Sequence, residues 1–114
     1  MTTHYEVYFN KENISNLKLF LTDHPEKKIF TDHFTKYSVD LLREYKDLSK
    51  SYRILGDDFN WKIVKPGDLV LFNKKHIDEL KLQKYDFPSF SILNSNSFSK
   101  INQFGDFIIY EKID

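Results

Sequence analysis

Within its first fifty residues the chain switches its apolar period from two to about 3.6 and back, and this alternation restricts the fold more than any other feature. From His4 to Phe9 the pattern is extended, with Tyr5, Val7 and Phe9 on one side and Glu6 on the other. Asn10 stops that strand and is a favoured N-cap, because its side-chain oxygen can accept from the orphan amides of a first helical turn. A helix follows over Lys11–Asp23, in which Ile14, Leu17, Phe20 and Leu21 fall at helical spacing. His24-Pro25 ends it, since proline supplies no amide and disfavours helical geometry in the residue before it. The short apolar run Lys28–Thr31 reads as a second strand, and Asp32 caps the helix after it. That helix carries an apolar stripe of Phe34, Tyr37, Ser38, Leu41, Leu42 and Tyr45, with Lys36, Asp40, Arg43, Glu44 and Lys46 on the remaining arc. Tyr52-Arg53-Ile54-Leu55 reads as a third strand.

A β-α-β-α-β start of this kind implies right-handed crossovers and parallel strands. The second half is less regular. Gly56-Asp57-Asp58 makes a turn, Trp61–Val64 alternates, Lys65-Pro66-Gly67-Asp68 is a turn tetrad, and Leu69–Phe72 is an apolar strand. Asn73 then sits at a strand-to-helix seam, before a short helix with Ile77, Leu80 and Leu82 on its buried side, ending near Lys84. Pro88 closes that region, Ser89–Leu93 reads as extended, Asn94–Lys100 as a polar loop or single turn, and Phe104-Gly105-Asp106 leads into a last strand, Phe107–Lys112. The expectation is one α/β domain over residues 1–114. Its architecture is a Rossmann-like three-layer or two-layer sandwich, with a mostly parallel central sheet and an antiparallel C-terminal strand.

Composition narrows the function classes. At 114 residues a single core suffices without disulfide or metal staples. Seventeen Lys plus Arg balance seventeen Asp plus Glu with no basic cluster, which argues against a reader of the nucleic-acid backbone. No apolar run approaches the roughly 20 residues that span a bilayer, so no membrane insertion by this chain is expected. The absence of Cys excludes thiol nucleophiles and Cys-based zinc or iron–sulfur sites. Eleven Phe, seven Tyr and one Trp are first of all core material; without interleaved Arg or Lys they do not make a base-stacking surface.

Candidate chemistry is sparse. Thr31-Asp32-His33 stands at the carboxyl end of the second strand, the rim where open α/β sheets place ligands, and an Asp-His pair there can orient a water or a metal. Helix capping by Asp32, with a solvated His33, explains the same residues. His24, His33 and His76 lie in three separate segments without metal-ligand spacing and read as scattered surface histidines. Asp57-Asp58 suits a turn better than a catalytic carboxylate pair. The first strand–helix junction, Tyr8-Phe9-Asn10-Lys11-Glu12-Asn13, has neither GxGxxG nor GxxxxGK[ST], so no dinucleotide site, and no cofactor, is expected. Asn13-Ile14-Ser15 fits a glycosylation sequon but falls inside the expected helix.

In order, the chain presents Lys28-Ile29-Phe30-Thr31-Asp32-His33 opening a helix that ends Leu41-Leu42-Arg43-Glu44-Tyr45. Lys65–Asn73 follows, with Gly67-Asp68 ahead of an apolar strand and Asn, and then Phe104-Gly105-Asp106-Phe107-Ile108-Ile109-Tyr110. From about Lys28 to the end, this order resembles the soluble tail domain after the last transmembrane helix of some prokaryotic GT-C membrane glycosyltransferases, the protein mannosyltransferase and aminoarabinose transferase relatives. The resemblance implies an extracytoplasmic, non-catalytic accessory domain whose partner is the membrane-embedded segment, with catalysis in transmembrane-helix loops that have no counterpart here. It further implies that Asp32, His33 and Asn73, at the strand-end rim, help position acceptor or lipid-linked sugar; the alternative is that all three are caps and nothing more.

Two other readings differ in kind. One is a small stand-alone interaction protein, cytoplasmic and of phage or viral origin given its AT-rich codon usage, working through a helix face or sheet edge. The other is a small enzyme or ligand-binding domain that uses the Asp32-His33 rim.

Overall fold

The computed structural model describes residues 11–40, 52–56 and 58–114. The expected first strand, His4–Phe9, and the Leu41–Tyr45 part of the second helix lie outside these residues.

Helix α1, Lys11–Thr22, buries Ile14, Leu17 and Leu21, three and four residues apart on one face. At its end the His24 ring turns back, with Nδ1 donating to the Phe20 carbonyl at 2.8 Å and the ring stacked on Phe20 at 4.4 Å. One of the carbonyls that a helix C-terminus leaves open is thereby satisfied before Pro25. Strand β1, Ile29–Thr31, leads into α2, His33–Asp40. The buried side of α2 runs through Thr35 and Val39, one turn apart. Tyr37, which the sequence pattern puts in the apolar stripe, is 63 % exposed: the helix is rotated so that Val39 takes the core position.

Strand β2, Leu69–Asn73, is buried along its whole length. It pairs parallel with β1, Ile29 opposite Leu69 and Thr31 opposite Leu71. Across that pair the Thr31 hydroxyl donates to the Leu71 carbonyl at 2.8 Å. On its other side β2 pairs antiparallel with β4, Phe107–Lys112, and β4 in turn pairs antiparallel with β3, Phe98–Phe104. The order is β1-β2-β4-β3. Among the described residues the sheet is therefore mixed, with one parallel pair and two antiparallel ones, rather than mostly parallel. A two-residue turn joins β3 to β4, and a connection that short can only bring back an antiparallel neighbour. The antiparallel C-terminal strand is as expected.

The alternation of the central strands divides the core. Leu69, Leu71, Phe107 and Ile109 face α1 and α2 and pack with Ile14, Leu17, Leu21 and Val39. Val70, Phe72 and Ile108 face the other way, with Phe30, and pack with Ile54, Val64, Ile77, Phe90 and Leu93. Both faces of the sheet are thus covered, and each large apolar side chain so buried contributes about 1.5–3 kcal/mol.

Four segments depart from expectation, one of them Asn94–Lys100, read as a polar loop or single turn, whose last three residues begin β3. Tyr52–Leu55 is not a strand: among the described residues of this segment the Tyr52 amide alone reaches β1, donating to the Thr31 carbonyl at 2.7 Å, and the chain then turns, with the Gly56 amide donating to the Arg53 carbonyl at 2.8 Å. Ile54 is buried by lying over the sheet face rather than by joining the ladder, a tertiary override of strand propensity. Trp61–Ile63 winds into a single 3₁₀ turn, capped by Asn60, whose side chain accepts from the Lys62 amide. Ser89–Leu93 is not extended either. Pro88 opens helix α4, Pro88–Ile92, rather than closing a region, because its missing amide costs nothing at a first helical position. Between them α3, Lys74–Leu82, forms where expected, but Leu82 is 82 % exposed and lies off the buried face that Ile77 marks.

Candidate functional site

The carboxyl ends of the parallel pair open onto the amino ends of two helices. Asp32 follows β1 and caps α2; its Oδ2 accepts from the Thr35 amide at 3.4 Å, and its backbone carbonyl accepts from the Lys36 amide at 3.0 Å. Asn73 closes β2 and caps α3, its Oδ1 accepting from the His76 amide at 3.1 Å. Both junctions therefore obey the local rule that a short polar side chain satisfies the first-turn donors.

A cleft of about 330 Å³ lies at this rim, a size suited to a small ligand. Asp32, His33 and Phe34 contribute one wall from the start of α2, and His76 adds to it from the first turn of α3. Tyr52, Arg53 and Leu55 of the irregular turn, with Phe87 ahead of α4, complete the lining. Tyr52 is held from below by Phe30, ring centroids 4.6 Å apart, so the turn that replaces the expected third strand is what carries an aromatic ring into the cleft.

Of the three residues singled out in the sequence, the structure brings Asp32 and His33 to the cleft, His33 exposed and Asp32 only 5 % exposed. Asn73, 1 % exposed, is not part of the lining; it holds the α3 turn that carries His76. Asp32 Oδ1 is buried with no hydrogen-bond partner, as is Thr35 Oγ1 in the same turn, so the carboxylate end retains an acceptor that the fold itself does not use.

His76 is the site residue that the sequence reading passed over as a scattered surface histidine. Its ring stacks on Phe34 with centroids 4.0 Å apart and planes 15° from parallel. Burial lowers its pKa from the ordinary histidine value, and the charges of Asp32 and Glu79 pull the other way without reversing it. The available signal was positional: His76 lies three residues beyond an N-cap at a strand end, where the first helical turn faces the rim.

His24 belongs to the end of α1 and not to this cleft, and among the described residues no three His, Asp or Glu side chains form a group that would hold a metal ion. Asp58 is exposed, and its neighbour Asp57 lies outside the described residues. The cleft brings together aromatic side chains, a carboxylate and a guanidinium. No family model, no curated protein and no solved structure matches this chain.

Proposed function

We propose that the chain is a non-catalytic binding domain, an accessory module of a membrane glycosyltransferase that positions acceptor or lipid-linked sugar at the rim cleft. One observation carries the reading. The Asp32 carboxylate and the Arg53 guanidinium line one cleft with Phe34, Tyr52 and Phe87, the combination by which a sugar ring is held, its C–H face against an aromatic ring and its hydroxyls on charged groups. The Rossmann-like ancestry belongs with this proposal. A parallel pair with a helix following each strand, and a cleft outside their carboxyl ends, is where such folds take ligands. No helix among the described residues is long and apolar enough to cross a membrane.

The test is a nitrogen–proton NMR titration with methyl mannoside and related simple glycosides. Saturable shifts confined to amides of His33–Thr35 and Tyr52–Gly56, lost in Tyr52→Ala, are the expected result. Absence of saturation up to the solubility limit of the glycosides would overturn the sugar assignment, and a locus encoding no polytopic membrane segment would overturn the enzyme partnership. The competing reading, a stand-alone interaction protein, draws on exposed Leu19 of α1 and Tyr37 of α2. Strand β3, which pairs on one side only among the described residues, serves it poorly, since an irregular register between Lys100 and Asn102 and an exposed lysine both discourage strand addition.

A further inference from the structure

The end of the sheet opposite the rim holds a second cleft, of about 340 Å³. It forms where β4 ends and β3 begins, Lys112 opposite Phe98 in the register, and where the 3₁₀ turn brings in Trp61. Trp61 is braced edge-on by two rings, Phe59 at 4.9 Å and Phe98 at 5.8 Å, so its indole is a rigid wall. The Lys112 ammonium lies over the Phe98 ring, 5.3 Å from its centroid. Ser91, Ser95 and Ser97 bring hydroxyl-bearing side chains to the remaining side.

The charge here is of one sign. Among the described residues no carboxylate lines the cleft, and the sequence neighbour Glu111 points to the opposite face of the strand, where it pairs with Lys27 at 3.2 Å. Asp68, whose carbonyl accepts from the Lys112 amide, turns its own carboxylate to the Lys65 amide at 2.8 Å. The Ser95 hydroxyl is taken, donating to the Ile92 carbonyl at 2.6 Å. A planar wall, a cation with no carboxylate beside it among the described lining residues, and the Ser91 and Ser97 side chains all ask for the same thing: a ring that carries acceptor oxygens and negative charge.

We infer that this cleft is a second binding site, separate from the rim, for a small ring compound bearing one oxyanion, a phosphate or carboxylate that sits against Lys112 while the ring lies on Trp61. Because the chain has a single Trp, both its fluorescence and its one indole N–H resonance report on this cleft alone. The protein is titrated with phenyl phosphate, glucose 1-phosphate, benzoate and inorganic phosphate. Saturable changes of both signals with the ring compounds, larger than with inorganic phosphate, are expected; the first three also distinguish aryl from sugar rings and phosphate from carboxylate. Lys112→Gln is expected to weaken binding about tenfold or more, the loss of a charge-assisted contact, while Lys112→Arg retains it. Asp32→Asn leaves it unchanged. Added salt weakens binding in the wild type, which keeps the charge argument testable if Lys112→Gln does not fold. The inference is overturned if no ring compound saturates either signal, if Lys112→Gln binds as the wild type does, or if inorganic phosphate alone reproduces the whole response.

Discussion

Replacing Gly105 by alanine is expected to destabilise the fold through two separable effects. Gly105 is the first residue of the two-residue turn between Phe104 and Phe107 and has φ +61°, the left-handed region that a hairpin of this length demands at that position. An alanine held there loses about 1–2 kcal/mol in backbone strain. A Cβ would also meet the Asn13 side chain of α1, lying 2.7 Å from its Cγ and closer still to its amide nitrogen. Asn13 has only one bond between Cγ and the helix backbone about which to swing clear, and displacing it from its rotamer costs about 0.5–1.5 kcal/mol. Reduced freedom of the unfolded chain returns about 0.4–1 kcal/mol, leaving a net loss of roughly 0.5–3 kcal/mol. The assay is urea unfolding of the wild type, Gly105→Ala, Asn13→Ala and the double variant. In the Asn13→Ala background the penalty should shrink to its backbone part. A neutral or stabilising Gly105→Ala would refute the turn assignment, and a penalty unaffected by Asn13→Ala would refute the packing of α1 against the hairpin.

Lys84 has φ +68° just beyond α3, where the Tyr85 amide reaches back to the Leu80 carbonyl at 3.0 Å. Glycine suits such a C-terminal position better, so Lys84→Gly should raise stability by about 0.5–1 kcal/mol; a loss in thermal or urea unfolding would contradict the cap geometry. The depressed pKa of His76 gives stability a pH dependence of known sign. The fold favours the neutral ring, so its contribution is complete above the unfolded value of 6.5 and is lost as pH falls through the lower folded value. Melting temperature should therefore drop between neutral pH and pH 5 by more in the wild type than in His76→Gln, and equal slopes would show that burial of this ring is not the cause.

Local chemistry was legible without coordinates wherever one residue could settle it. Asn73 had to cap a helix because a short amide follows an apolar strand, and Asp32 had to do the same; hydrogen bonds a few residues long decide each. What the sequence could not decide were partners far along the chain. Tyr52–Leu55 has the composition of a strand, yet whether it pairs depends on which backbone lies beside β1, and beyond the Tyr52 amide the chain turns away. Ser89–Leu93 could bury Phe90 and Leu93 as a helical pair only because the sheet face formed by Val70, Phe72 and Ile108 was there to receive them. The polar β3 became a strand because β4 offered it an open edge. The same holds for the two clefts. Asp32 was visible as a cap, but His76 gained its place from the stack on Phe34, and Trp61 faces Lys112 only through the pairing of β3 with β4. Side chains distant in sequence meet by long-range burial, whose energy is non-directional until the whole sheet is assembled, and a one-dimensional pattern carries no record of which surfaces will face each other.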